Sequence, residues 1–125
     1  MLRAGSFSCL DVTKEFEADI AAYYGRAHAL AYPNGTMALL AAFFAVGVAR
    51  GDVIVCPSIT FWASVAQAQA ALGARVRFCD VDPATFCVDA GDLARVLAEE
   101  GGKVAAVVVV HYAGHVRQPG HHHPS

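Results

Sequence analysis

Apolar positions recur at helical spacing in four stretches of the chain. Spacings of three and four residues place side chains on one face of a helix, whereas strands show alternation or a short continuous apolar run. Glycine suits the position just past a helix end, so Gly25 and Gly73 are predicted to end the first and third helices. The four predicted helices run from a possible capping box at Ser8 to Asp11 up to Gly25, from Thr36 to about Val48, from Thr60 to Leu72, and from Ala90 to Glu100.

A short apolar run follows each predicted helix and is predicted to be a strand. These runs are His28 to Tyr32, Asp52 to Pro57, a run that begins at Ala74 and a run that begins at Val104. The last run shows no alternation, as expected for a strand covered on both faces. Strands that alternate with helices imply parallel pairing and right-handed crossovers. The predicted fold is therefore α/β, a mostly parallel sheet with helices on both faces.

Composition narrows the classes of partner. The chain has 125 residues, about one domain, of which 56% are hydrophobic and 16% are charged. Because this is richer in apolar residues than a typical soluble domain, a partner subunit or a further domain is expected to cover part of the surface. The net charge of −2 and the lack of a basic stripe argue against nucleic acid as a partner. Neither a secretory signal nor a membrane span is recognisable, so no membrane partner is expected.

The cysteines and histidines do not form a recognisable metal motif. Cys9, Cys56, Cys79 and Cys87 have mostly apolar neighbours and no Cys-x-x-Cys spacing. This pattern predicts buried, reduced thiols in a cytosolic protein rather than a disulfide framework or a zinc site. Three consecutive histidines lie near the end of the chain, in a stretch without periodicity, and are not expected to form a designed site.

The stretch Pro33-Asn34-Gly35-Thr36 joins a predicted strand to a predicted helix. Asn and Gly tolerate positive φ and Thr begins helices well, so one interpretation is a turn followed by a helix cap. The other interpretation is an anion site, because a helix N-terminus presents free N–H groups and a partial positive charge. The four residues alone leave both interpretations open.

Ligands of open α/β sheets bind outside the carboxyl ends of the strands. Three segments are predicted there: Asn34-Gly35-Thr36, Ser58 to Trp62, and His111-Tyr112. An anion-binding turn beside aromatic side chains suits a flat, phosphorylated ring. Core packing is an equally acceptable interpretation of Phe61 and Trp62. Neither Gly-x-Gly-x-x-Gly nor Gly-x-x-x-x-Gly-Lys occurs, so a Rossmann or P-loop nucleotide site is not predicted.

The order of these segments, from "FEADIAAYYGRAHALAYPNGTMALL" through "CPSITFWAS" and "RFCDVDP" to "VVVVHYAGH", resembles the N-terminal part of DegT/DnrJ/StrS-type sugar aminotransferases. These are pyridoxal 5′-phosphate (PLP) enzymes of fold type I, and the resemblance runs from about Gly5 to His115. It implies that residues 1–115 are the N-terminal part of an incomplete PLP-dependent transferase large domain. Residues 116–125 are expected to be an irregular tail of non-family sequence.

The resemblance also implies which residues hold the cofactor. Asn34, Gly35 and Thr36 match the turn that binds the PLP phosphate, through the Thr36 hydroxyl and the N–H groups of Thr36 and Met37. Phe61 matches the aromatic residue that stacks on the pyridine ring, while Trp62 packs or lines the substrate side. Family members transfer an amino group from a donor such as glutamate to a keto sugar linked to a nucleotide. They are cytoplasmic homodimers with the cofactor site at the subunit interface.

The chain does not contain the family's catalytic residues, which are expected beyond the His-Tyr-Ala-Gly segment. Its only lysines are Lys14 and Lys103, neither of which matches the Schiff-base lysine. Asp80 and Asp82 match a segment whose usual role is structural. No catalytic residue and no metal ligand is therefore predicted, and a truncated gene or a shifted reading frame after Gly114 is the expected origin. The alternatives are a non-catalytic binding or dimerising remnant, and a fragment of the related sugar dehydratase branch.

Overall fold

The protein is described here by a computed structural model that covers residues 10–115. Ser8 of the predicted capping box, Cys9 and the predicted tail at 116–125 lie outside these residues. The chain divides into two compact units, Met1–Ala38 and Leu39–Ser125, which are described one at a time. The helices are α1 (Leu10–Tyr23), α2 (Gly35–Ala45) and α3 (Ala90–Glu100), and the strands are β1 (Val53–Pro57), β2 (Arg75–Cys79) and β3 (Val104–Val107).

The first unit contains α1, which ends in a left-handed glycine as the sequence predicts. Gly25 has a φ of 60°, a conformation that glycine tolerates because it has no Cβ. The N–H of Arg26 donates to the Ala21 carbonyl at 2.8 Å, and the N–H of Gly25 donates to the Ala22 carbonyl at 3.1 Å. This pair of bonds satisfies the last carbonyls of the helix and turns the chain away from its axis.

Residues 28–32 are not the buried strand that their apolar sequence predicts. They form no regular secondary structure, and the Leu30 side chain is 72% exposed. The N–H of Ala31 donates to Oε1 of Glu17 at 2.8 Å, a side-chain acceptor rather than a neighbouring strand. A strand needs a ladder of backbone partners, and no strand within residues 10–115 pairs with this segment. The prediction was therefore wrong because apolar sequence alone does not provide a partner.

The second unit contains a three-stranded sheet in the order β2-β1-β3. β1 is parallel to both neighbours; it pairs with β2 over its whole length and with β3 across an irregularity next to Val53. All five residues of β1 are buried, as expected for the central strand of a parallel sheet. The predicted α/β class and the parallel pairing are confirmed.

Hydrophobic clusters cover both faces of β1. Val53 and Val55 pack in a cluster with Val96 of α3 on one face. Ile54 and Cys56 belong to a second cluster on the other face, formed with the end of α2 and the segment after β1. The other buried members of that cluster are Phe43, Val48, Val65, Ala68 and Ala74. Helices therefore lie on both faces of the sheet, as predicted.

The segment 60–72 is not the single helix that its spacing predicts. A 3₁₀ turn forms at Trp62–Ser64, and a π-helical stretch follows at Ala68–Leu72. The π-helical stretch ends at Gly73, which is the predicted helix end. Val65, between the two pieces, has φ −138° and ψ −20°, outside the helical region. The apolar spacing correctly indicated helical structure in this segment, but it did not register the change of helical pitch.

The strand β3 is also less covered than its sequence predicts. It lies at the edge of the sheet rather than inside it, and its residues alternate between half-buried and exposed. Val107 is 39% exposed and Val109, just beyond the strand, is 54% exposed. A continuous apolar run was taken to indicate full cover on both faces, but the alternating exposure of this edge strand shows that its cover is incomplete.

The loop between β2 and α3 is held by carboxylates. Oδ1 of Asp82 accepts hydrogen bonds from two backbone N–H groups of the loop, at 2.7 and 3.3 Å. Oδ2 of Asp92, in the first turn of α3, accepts from the N–H of Asp80 at 2.7 Å. Asp82 thus shapes the loop and Asp80 is tied to the helix, which is consistent with the structural role expected for this segment.

Candidate functional site

The turn before α2 combines a helix cap with unused donors. Oδ1 of Asn34 accepts a hydrogen bond from the N–H of Met37 at 2.9 Å, and the Asn34 carbonyl accepts from Ala38 at 3.2 Å. Asn34 is therefore the N-cap of α2, so a cap is present as one interpretation predicts. The helix nevertheless begins at Gly35 rather than Thr36, and neither Asn34 nor Gly35 has a positive φ. The N–H of Met37, assigned to the phosphate on family grounds, is engaged with Asn34 in this structure.

Two other N–H groups of the same turn remain available. The N–H groups of Gly35 and Thr36 have no acceptor among the described residues, and neither has the Thr36 hydroxyl. A Cβ placed on Gly35 would meet nothing within 4 Å, so the space in front of the turn is open. Free N–H groups at the start of a helix, a nearby hydroxyl and open space are what an anion needs. The residues present therefore fit a phosphate group.

Phe61 and Trp62 belong to the second unit and follow the carboxyl end of β1. Their side chains are 66% and 69% exposed, and their rings contact each other with centroids 5.5 Å apart. Core packing, the alternative interpretation of these aromatics, is therefore wrong for both residues. An exposed ring at the carboxyl end of a parallel strand is suitably placed to stack on a ligand.

The other segments at this end of the sheet are shaped by their own contacts. The N–H of Ser58 donates to the Cys79 carbonyl at 2.9 Å, which joins the loop after β1 to the last residue of β2. The ring of Tyr112 contacts that of Phe86, with centroids 5.6 Å apart. His111 is exposed. The structure assigns neither His111 nor Tyr112 a partner that indicates chemistry.

The two lysines lie in different units. Lys103 immediately precedes β3, at the amino end of the sheet, opposite the end where Phe61 follows β1. Lys14 lies on α1, in the first unit. Among residues 10–115 no group of three or more His, Cys, Asp or Glu side chains is arranged to hold a metal ion.

Three of the four cysteines are buried free thiols, as predicted. Burial is the main cause that raises the pKa of Cys56 to about 11; the neighbouring Cys79 raises it further, and a hydrogen bond with the Thr60 side chain lowers it. Burial also raises the pKa of Cys79. A thiol with a raised pKa is a poor nucleophile at neutral pH, so these cysteines are core residues. Cys9 lies outside the described residues.

Comparison with known proteins identifies the family. A sequence model of the DegT/DnrJ/EryC1/StrS aminotransferase family matches residues 1–119. The chain belongs to this family. Among its relatives, 3-amino-5-hydroxybenzoate synthase of Amycolatopsis mediterranei is 38% identical over 104 residues, 83% of this chain and 26% of that protein. GDP-perosamine synthase of Caulobacter vibrioides is 38% identical over 102 residues, 82% of this chain and 26% of that protein.

Solved structures of the family agree with the fold. The crystal structure of 3-amino-5-hydroxybenzoic acid synthase matches with a TM-score of 0.75, over 83% of this chain and 26% of that one. A putative sugar aminotransferase from Streptococcus pneumoniae, in its PMP form, matches with a TM-score of 0.72 at 25% identity, over 84% of this chain and 26% of that one. The chain thus contains part of the PLP-dependent aminotransferase fold and spans about a quarter of the length of these relatives. No helix within residues 10–115 is long and apolar enough to cross a membrane.

The sequence missed two features of the site. The first is that the Asn34 side chain accepts a hydrogen bond from the N–H of Met37. An N-cap side chain commonly accepts from the N–H three residues later, so the spacing of Asn34 and Met37 was a signal for this bond. The second is a hydrogen bond of 2.8 Å between the hydroxyls of Thr60 and Ser64, on either side of Phe61 and Trp62. Two hydroxyl residues four positions apart in a predicted helix are the only sequence signal for it.

Proposed function

We propose that this chain is the N-terminal, phosphate-binding part of a PLP-dependent sugar aminotransferase. The observation that carries the proposal is the turn before α2, where the N–H groups of Gly35 and Thr36 and the Thr36 hydroxyl have no partner among residues 10–115. Membership of an aminotransferase family supports PLP as the ligand. PLP supplies the electron sink for amino-group transfer when it is bound.

Each proposed cofactor residue has a separate task. Gly35 leaves the backbone accessible, the Thr36 N–H and hydroxyl donate to the phosphate, and Asn34 fixes the turn. Met37 contributes its N–H only if a phosphate oxygen replaces the Asn34 side chain as its acceptor. Phe61 stacks its exposed ring on the pyridine ring of the cofactor.

For the complete protein we propose transfer of an amino group from an amino acid such as glutamate to a keto sugar linked to a nucleotide. The relative named GDP-perosamine synthase supports a nucleotide-linked sugar as the acceptor. We further propose a cytoplasmic homodimer without a nucleic-acid or membrane partner. The 125-residue chain by itself is proposed to bind but not to catalyse, because Lys14 and Lys103 are its only lysines.

Binding of a cofactor analogue tests the phosphate site. Pyridoxine 5′-phosphate lacks the aldehyde and cannot react with lysines, so calorimetric titration of the full chain with it reports non-covalent binding. Thr36→Val should weaken this binding by about 1–3 kcal/mol, the range for a hydrogen bond to a charged group. Thr36→Ser should retain it, and Thr85→Val, the same change in the loop after β2, is the matched control. Equal affinity of the wild type and Thr36→Val would contradict the assignment.

Covalent trapping tests whether the chain alone is catalytic. The protein is incubated with PLP and an amino donor, reduced with borohydride and digested for mass spectrometry. We expect only sparse, non-stoichiometric labelling and no transamination above that of free PLP. A stoichiometric pyridoxyl adduct at Lys14 or Lys103, together with turnover, would contradict the proposal that the chain alone is inactive.

A further inference from the structure

The exposed aromatics after β1 are held by very little packing. Phe61 and Trp62 are 66% and 69% exposed, so contacts with the core do not fix their rings. Their orientation depends on the backbone of the Trp62–Ser64 turn, in which the N–H of Ser64 donates to the Phe61 carbonyl at 2.8 Å. A contact that restrains Ser64 therefore also restrains the backbone from which both rings project.

Ser64 is held by Thr60. The two hydroxyls lie 2.8 Å apart and the bond is partly buried, which protects it from competition with water. Thr60 lies shortly after β1, all of whose residues are buried. Its bond to Ser64 therefore ties the turn that carries the aromatics to the segment that leaves the central strand.

We infer that Thr60 is a positioning residue, whose bond to Ser64 holds the Trp62–Ser64 turn so that Phe61 presents its ring face to a bound cofactor. This inference rests on the proposed function, because it assumes that Phe61 stacks on the pyridine ring. Thr60 itself does not contact the cofactor. It acts by limiting the conformations of a turn whose side chains are exposed, which lowers the entropy lost when a ring stacks there.

Trp62 reports the state of the turn without any ligand, because it is the only tryptophan of the chain. Thr60→Val removes the hydroxyl but keeps the β-branched shape, and Ser64→Ala breaks the same bond from the other end. Both variants should show faster local depolarisation of Trp62 fluorescence than the wild type. Thr60→Ser should restore the wild-type anisotropy, and Thr85→Val should leave it unchanged.

Ligand binding separates positioning from general stability. The affinity for pyridoxine 5′-phosphate divided by that for inorganic phosphate isolates the contribution of the ring. Thr60→Val and Ser64→Ala should lower this ratio about two- to tenfold, the worth of one net hydrogen bond, while phosphate affinity stays the same. Thr60→Ser should restore it.

An unchanged ratio in folded Ser64→Ala would overturn the inference, as would unchanged Trp62 anisotropy in both variants. If Thr60→Val does not fold, Ser64→Ala and Thr60→Ser decide the question. A wild-type chain that binds neither ligand would overturn the proposed function and the role of Thr60 towards a cofactor. In that case the anisotropy would still decide whether Thr60 holds the turn.

Discussion

Asn34 shows how a helix cap and an anion site can share one turn. A helix start has four N–H groups without intrahelical acceptors. The Asn34 side chain satisfies that of Met37, while those of Gly35 and Thr36 have no acceptor among the described residues. The cap thus occupies the donor that lies further along the helix and leaves those nearer the turn. The two interpretations of the sequence are therefore compatible.

Two substitutions at Asn34 separate the cap from the anion site. Asn34→Ala removes the acceptor for Met37 and should lower the free energy of unfolding by about 1 kcal/mol. Asn34→Asp keeps an acceptor and suits the helix dipole, so stability should be maintained. Its negative charge should nevertheless weaken phosphate binding. Urea unfolding and phosphate titration of both variants measure the two effects, and an Asn34→Asp chain with undiminished phosphate affinity would argue against an anion site.

The Gln67 side-chain amide is buried and has no partner in the part of the chain that the structure describes. Neither Nε2 nor Oε1 has a hydrogen-bond partner among the described residues, although both atoms are inaccessible to solvent. An unsatisfied buried polar group costs about 1–3 kcal/mol, so Gln67→Met, which keeps the shape, should raise the free energy of unfolding by about 1 kcal/mol. Gln69→Met, at an exposed position of the same segment, should change it by less than about 0.5 kcal/mol. Destabilisation by Gln67→Met in thermal and urea melts would mean that the amide has a partner in solution.

The sequence predicted candidate site residues but not their hydrogen bonds. Asn34, Gly35 and Thr36 were chosen as candidates because turn chemistry and helix periodicity meet at one point. The occupation of the Met37 N–H depends on a side-chain rotamer, and the bond between Thr60 and Ser64 depends on the local helical pitch. Residue order specifies neither of these directly.

At the scale of elements, α3 was predicted within its observed bounds and residues 28–32 were not. The helix has its own signals: Oδ1 of Asp89 caps it by accepting from Asp92 at 2.7 Å, and Val96 is fully buried on its apolar face. A helix satisfies its backbone internally, so local signals suffice. A strand depends on backbone groups from elsewhere, and the apolar run at 28–32 has none among residues 10–115.

The contact between α3 and the β2 segment makes the free energy of unfolding depend on pH in the acidic range. A hydrogen bond from the Asp80 backbone lowers the pKa of Asp92 below its ordinary 3.8. Hydrogen bonds from Arg95 and then Arg77 lower the pKa of Glu99 below its ordinary 4.5. Because the folded chain binds fewer protons than the unfolded one, this stability is present above those ordinary values and is lost as the pH falls through the lower, folded values.

Urea unfolding between pH 7 and pH 2.5, followed by circular dichroism, measures this dependence. The unfolding midpoint of the wild type should fall as the pH drops below about 4.5, and Asp92→Asn should flatten the lower part of that fall. Asp19→Asn, an exposed carboxylate on α1, is the matched control. The same acid profile for the wild type and Asp92→Asn would exclude a contribution from the Asp80 contact.

At the scale of the whole molecule, the order of several weak motifs was more informative than any periodicity. Alternating strands and helices predicted the α/β class, which many unrelated proteins share. The turn at Asn34, the aromatic at Phe61 and the aspartates at 80 and 82, taken in order, were the basis of the resemblance to the aminotransferase family, to which the chain belongs. The sequence did not predict which surfaces of the outer strands are exposed, because that depends on which other segments pack against them.

The apolar surface of the second unit predicts self-association of the chain. Val107 and Phe78 on the outer strands are 39% and 54% exposed, and neither outer strand has a further partner among the described residues. Open strand edges beside apolar side chains favour pairing between molecules, and a lysine on an edge strand opposes it. Sedimentation velocity over a range of concentrations should therefore show self-association of the wild type. Val107→Lys should reduce it, whereas Ala98→Lys, which adds the same charge on exposed α3, should not. A wild type that sediments as a monomer at all concentrations and melts cooperatively would refute the prediction.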